Sequence, residues 1–137
     1  FRIRKIHKTY IAITYGKVSK DIKTMQDDLI SYDNEKRKIQ KAISHIKVIK
    51  SNQNFSFVEL NPITGRKHQL RKQLYNIGNP IIGDDKYFLN KRLGQIKFKS
   101  KKLMLHAYKI KFMINDVKYN FKAQYDQNFE KFLKIKL

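Results

Sequence analysis

Cysteine is absent from this 137-residue chain. That removes disulfides and thiolate zinc sites together and fits a reducing compartment. Acidic residues are scarce: 11 Asp and Glu stand against 31 Lys and Arg, for a net charge of +20. Such a surplus repels itself in a free globule and attracts polyanions, nucleic acid foremost. Lysine far outnumbers arginine, and Ile and Asn are frequent. Nucleotide-composition bias also produces that profile, so charge alone does not establish the partner. No apolar run approaches the ~20 residues of a membrane-spanning helix, and no signal-peptide pattern is present; the expected location is the cytoplasm. "GNPIIGDD" carries two glycines but lacks the Lys-Ser/Thr of a P-loop. Neither G-x-S-x-G nor G-x-G-x-x-G occurs. His7, His45, His68 and His106 show no ligand spacing, so no metal site is expected.

What is present suits one domain with a core. "KTYIAITYGK" alternates with period two, placing Ile11, Ile13 and Tyr15 on one strand face and Tyr10, Ala12 and Thr14 on the other. Residues 17–41 show weak periodicity and mixed charge and read as an irregular excursion with at most a short strand. "AISHIKVIK" and "FSFVELN", separated by the polar "SNQN", form the pattern of a β-hairpin. A helix is predicted over 67–77, with Gly78 at its left-handed C-cap and Asn79-Pro80 preventing continuation. "LMLHAYKIKFMI" and "VKYNFKA" flank Asn115-Asp116 as a second hairpin, and Asp126 caps a last helix running to about Leu133. The expected fold is α+β, with a mixed, largely antiparallel sheet and a few helices.

The first helix carries its charges at an unfavourable end. Arg66, Lys67 and Arg71 fall in or beside its first two turns, where the macrodipole disfavours cations by a few tenths to ~1 kcal/mol each. At about 100° per residue, Leu70, Leu74 and Ile77 share a core face, while His68, Arg71 and Tyr75 form a polar strip beside it. Helix N-termini favour anions, so a phosphate or carboxylate in that corner would turn these cations to use. Solvated lysines and arginines scattered over a basic protein are the competing explanation. Gly65 favours the ligand reading, because a glycine permits close backbone approach. Asp84-Asp85 could be paired carboxylates, although Gly-Asp-Asp after a proline reads more simply as a turn or cap.

"HKTYIAITYGKV", "VELNPITGRKHQLRKQL", "GNPIIGDDKY" and "LMLHAYKIKF" stand in an order and at spacings that resemble the RluA-type RNA pseudouridine synthases. The resemblance spans nearly the whole chain and is weakest over residues 17–40. It implies an enzyme that detaches uracil from ribose, rotates it and rejoins it through carbon, without metal or organic cofactor. Its substrate would be RNA, ribosomal RNA by expectation, from which the target base must be extruded. By resemblance Tyr10 is the tyrosine against the base, and Arg71 is the arginine that holds the aspartate nucleophile. Leu103 to Leu105 would supply apolar contact to the base, from Leu103 and Leu105. Arg66, Lys67, His68 and Gln69 would contact the RNA backbone or shape the loop. The family's nucleophile lies in an Arg-Leu-Asp segment upstream of the tyrosine motif, and no such segment occurs here. The chain also begins at Phe1 rather than Met. The expectation is therefore the C-terminal portion of a catalytic domain, inactive alone, whose nucleophile-bearing N-terminal portion is lost or separately encoded. On this view the carboxylate opposite Arg71 comes from outside the chain. The alternative is a non-catalytic RNA-binding module derived from such an enzyme. A DNA-binding helix-turn-helix needs a second helix just before the first, and "FSFVELN" is a poor candidate for one.

Overall fold

The computed structural model of the chain describes residues 3–88 and 102–137, with side chains from Ile6 onward. Its strands are β1 (Ile3–Tyr15), β2 (Thr24–Asp33), β3 (Lys36–Ser51), β4 (Phe55–Pro62), β5 (Leu105–Ile114) and β6 (Val117–Lys122); its helices are α1 (Gln69–Asn76) and α2 (Gln127–Lys136). The strands form one sheet in the order β2-β3-β4-β1-β5-β6. Every described neighbouring pair is antiparallel, where a mixed sheet was expected. Three connections are tight turns, which permit no other pairing, since parallel neighbours require a long crossover.

The stretch expected to be irregular is a regular hairpin. β2 pairs with β3 from Thr24↔His45 to Asp33↔Lys36, and the turn residues Asn34 and Glu35 have φ of 48° and 66°. Asn115 and Asp116, at 48° and 65°, repeat this geometry between β5 and β6. Two successive left-handed residues match the twist of the flanking strands. The β2 signal is masked because apolar residues fall on both of its faces: Met25 and Leu29 are buried, whereas Ile30 and Tyr32 are exposed. Such a strand loses its period-two contrast.

Both faces of β1 are covered. Ile11 and Ile13 pack in a cluster with Phe55 and Phe57, over which α2 lays Phe129 and Phe132. Phe55 meets Phe132 edge-on at 5.0 Å between ring centroids. On the other face, Ala12, Val58 and Leu60 join Leu70 and Leu74 of α1. Ile11, Ile13, Leu60 and Leu74 are fully buried, each worth roughly 1.5–3 kcal/mol. Asp126 caps α2 by accepting from the Asn128 N–H, as expected, and the helix runs to Lys136, one turn beyond the expected Leu133. Glu130 in its first turn and Lys134 and Lys136 in its last complement the dipole.

After α1 the chain passes Gly78, at φ 85° as expected for a C-cap glycine, and returns alongside β1. Tyr15 N donates to Pro80 O, Ile82 N to Ile13 O, and Met104 N to Ile82 O. This return brings residues 84–87 beside α1. No described helix is long and apolar enough to cross a membrane.

Candidate functional site

A cavity of about 410 Å³ opens between β1, the loop from Pro62 to Arg66, the first turn of α1 and the start of β5; Tyr10, Lys8, Arg66, His68, Gln69, Arg71 and Leu105 are among its walls. Its rim follows from how α1 begins. The helix starts at Gln69, two residues later than predicted, because His68 adopts the left-handed conformation at φ 54°. Arg66 and Lys67 therefore precede the helix, and of the three cations only Arg71 is in it. His68 makes no side-chain cap. The Gln69 side chain organises the loop in its place: its oxygen accepts from Thr64 Oγ1 at 2.6 Å and Arg66 N at 3.0 Å. Its nitrogen donates to Ser44 Oγ at 2.8 Å and Ile43 O at 3.0 Å. Gln69 is buried, so burial and saturation give it a structural task. Gln73, one turn on, likewise donates to the Met25 and Ala42 carbonyls beneath the helix. The helix thus rests on the sheet through two glutamines as well as its leucines, which the apolar period did not reveal.

Arg71 has a partner within the chain. Its Nε donates to Asp84 Oδ2 at 2.9 Å and its Nη2 to Asp84 Oδ1 at 2.7 Å, a bidentate fork. This corrects the expectation that the chain supplies no carboxylate to Arg71. Asp84 is also the turn cap that its sequence suggested, since Oδ1 accepts from Lys86 N at 3.0 Å and Tyr87 N at 2.9 Å. Burial works against the charged carboxylate, but the Arg71 hydrogen bond and the two backbone N–H groups outweigh it and hold Asp84 below its ordinary pKa. The same bond raises Arg71. Gly83, just before Asp84, lets the backbone at Lys102 pass close by: at φ 85°, a Cβ there would lie 2.0 Å from Lys102 O. Asp85, almost fully exposed, sits 3.6 Å from Arg71 Nη2. Arg71 Nη1, on the far edge of the guanidinium, has no hydrogen-bond partner among the described residues.

The predicted polar strip of His68, Arg71 and Tyr75 converges on Tyr87. His68 Nδ1 lies 3.2 Å from the Tyr87 hydroxyl, the Arg71 guanidinium stands 5.2 Å from the ring centroid, and the Tyr75 ring is 6.5 Å away. Burial, then the charges of Arg71, Lys67, Lys86 and Lys72, lower the pKa of His68. Arg66 anchors the opposite rim, donating from Nε to Lys41 O at 3.0 Å.

Of the residues singled out in the sequence, Tyr10, Arg66, His68, Gln69, Arg71 and Leu105 line one cavity, while Lys67 and Leu103 are not among its walls. Leu103 packs instead against the core, next to Gly83. Sequence reasoning missed three contributors. Lys8 stood inside a quoted motif without a role, Asp84 was read as a turn cap or one of a carboxylate pair and never as the partner of Arg71, and nothing in its spacing marked Tyr87 as the centre of the strip. No cluster of His, Cys, Asp and Glu suited to a metal occurs among the described residues.

Residues 1–76 match the family model described as RNA pseudouridylate synthase. The ribosomal large subunit pseudouridine synthase C of Rickettsia conorii is 38% identical over 121 residues, covering 80% of this chain and 38% of the relative. The tRNA pseudouridine synthase C of Haemophilus ducreyi is 30% identical over 127 residues, covering 78% and 52%. The chain thus spans about two fifths to one half of these relatives. Among solved structures, Human RNA Pseudouridylate Synthase Domain Containing 1 superposes with a TM-score of 0.70 at 21% identity, covering 89% of this chain and 56% of that one. That likeness shows the fold, an α+β sheet domain.

Proposed function

Because this chain belongs to the RNA pseudouridylate synthase family, we propose that the cavity between Tyr10 and Arg71 receives a uridine extruded from RNA and contributes to its isomerisation. The reading is carried by one observation: Tyr10, Arg71 and Leu105, taken from three separate motifs, line a single cavity of about 410 Å³. Leu105 and the Tyr10 ring offer apolar and aromatic surface for a planar base. In the reaction the bond from ribose C1′ to uracil N1 breaks, the base turns, C5 bonds to C1′, the C5 proton leaves and the freed N1 takes up a proton. In this reading the Tyr10 phenol, one of the cavity's walls, carries the C5 proton. A carboxylate nucleophile must be ionised, and Arg71 can hold it so through Nη1 while Asp84 fixes the guanidinium from the other edge. In this reading Asp84 positions Arg71 and does not touch substrate.

The nucleophile itself comes from a segment outside these residues, since the Arg-Leu-Asp motif is absent from the chain. The RNA is ribosomal, the class that names the Rickettsia relatives, and the setting is the cytoplasm. Arg66, Lys67 and Lys8 meet its phosphates. The test is tritium release from RNA labelled at uracil C5. The chain alone should release none; joined to an upstream portion bearing the aspartate it should do so, and Arg71→Ala or Tyr10→Phe should abolish it. Release by the chain alone would overturn the divided-site reading, and none from the completed domain would overturn the isomerase.

A second reading has an observation in its favour. The bidentate Arg71–Asp84 fork is a sufficient structural reason for Arg71, as in an RNA-binding module that has left catalysis behind. In that case Arg71→Ala changes only stability and RNA affinity, and the completed domain stays inactive.

A further inference from the structure

Next to the Tyr10–Arg71 cavity lies a second one, of about 250 Å³, which shares Lys8 and Tyr10 with the first and continues over β5 and β6. The pairings Tyr10↔Ala107, Lys8↔Ile110 and Ile110↔Phe121 put these residues on the same face of the sheet. A bulge opens the space: Thr9 pairs with Lys109 and Tyr10 with Ala107, so Tyr108 is an extra residue. Tyr10 and Phe121 bring aromatic rings to one face of the sheet, Ala107 and Ala123 contribute only methyl groups, and Lys8 also lines the space; Tyr108 and Lys109 border it, with the Lys109 ammonium over the Tyr108 ring. Phe121 is 57% exposed, an uncovered ring that is held by stacking on Phe112 at 6.0 Å and 21°. Phe112 in turn stacks on Tyr119 at 5.2 Å and 13°. Aromatic walls, a floor of small side chains and a lysine on the same sheet face, here Lys8, are the requirements of a stacked base and its phosphate.

We infer that this slot holds the base adjacent to the target uridine in the RNA strand, stacked against Phe121, with Lys8 serving the phosphate between the two nucleotides. This rests on the proposed function and extends it. Tyr10 is then a partition between two bases, and the strand path runs from α1 towards the β5–β6 hairpin. The net charge of +20 supports a polyanionic occupant.

The test uses the full chain and fluorescein-labelled single-stranded RNA heptamers with one central uridine, read by anisotropy. In companion oligomers the nucleotide on the 5′ or the 3′ side of that uridine is abasic. One of the two abasic sites should weaken binding about tenfold. Phe121→Ala and Ala107→Leu should weaken binding of the intact oligomer about as much and be indifferent to that abasic site, while Phe121→Trp should retain wild-type behaviour. Both substituted positions are exposed, so the fold tolerates the changes. If wild type binds RNA but neither abasic site changes its affinity by more than about twofold, the slot is refuted while the uridine cavity stands. Equal weakening of intact and abasic oligomers by Phe121→Ala also refutes the slot. No binding of any oligomer by wild type would overturn both readings.

Discussion

Replacing Asp84 with alanine probes the joint on which the cavity wall depends. The substitution removes an acceptor of four hydrogen bonds: two from Arg71 and one each from the Lys86 and Tyr87 N–H groups. Removing one partner of a buried ion pair costs about 3–5 kcal/mol. Here Asp84 has no exposed side-chain surface, whereas Arg71 keeps 16% and has Asp85 within 3.6 Å as a partial substitute. About 2–4 kcal/mol is therefore the expected loss, or roughly 6–12 °C in melting temperature for a domain of this size. Asp84→Asn retains an oxygen for the two backbone donors and should cost about half as much. A double-mutant cycle with Arg71→Ala should give a coupling of at least about 1.5 kcal/mol. The pH dependence has a definite sign. Asp84 titrates lower when folded than at the unfolded value near 3.9. Its contribution is complete above about pH 4 and is lost as pH falls through the folded value. Urea midpoints of wild type and Asp84→Asn should accordingly converge in acid and diverge towards neutrality. A loss below about 0.5 kcal/mol, or a gap that does not change with pH, would refute the assignment of the fork as the structural anchor of Arg71.

Gly83→Ala forces a Cβ to 2.0 Å from Lys102 O at a φ of 85° and should cost at least about 2–3 kcal/mol by thermal melt. Gly65→Ala meets nothing within 4 Å and should leave stability within about 0.5 kcal/mol. Any accompanying fall in RNA affinity would then report close backbone approach by the ligand. Arg66→Ala should weaken RNA binding uniformly across sequences and reduce the salt slope by about one charge, measured by titration at several salt concentrations; an unchanged slope would remove Arg66 from the phosphate contacts.

The elements that announced themselves were those whose burial is one-sided or whose ends carry their own signals. Asn115-Asp116 marked a two-residue turn, Gly78 a helix end and Asp126 a helix start, and each stands where local chemistry put it. β2 was illegible because Ile30 and Tyr32 point outward opposite Met25 and Leu29, cancelling the alternation a strand is recognised by. The true start of α1 was hidden for a related reason. His68 turns left-handed and meets Tyr87, and Gln69 is buried beneath the loop with its amide nitrogen on Ser44 and Ile43, contacts that no local pattern announces. The site shows the same division. Tyr10, Arg71 and Leu105 could be picked out one at a time by residue type and resemblance, but their common cavity could not.

By itself, the order of residues determined the local grammar of this protein: turns, caps, strand alternation, the excess of positive charge and the motifs that relate it to a family. These depend on neighbours within a few positions, so a linear reading reaches them. Only the tertiary structure decided that Asp84 answers Arg71, that two glutamines seat α1 and that Tyr87 collects the polar strip. The Asp84 and Tyr87 contacts depend on a chain return along β1, and the glutamine contacts on the β2–β3 hairpin passing beneath α1. Electrostatic pairing and burial are properties of distances in space, which sequence spacing does not encode.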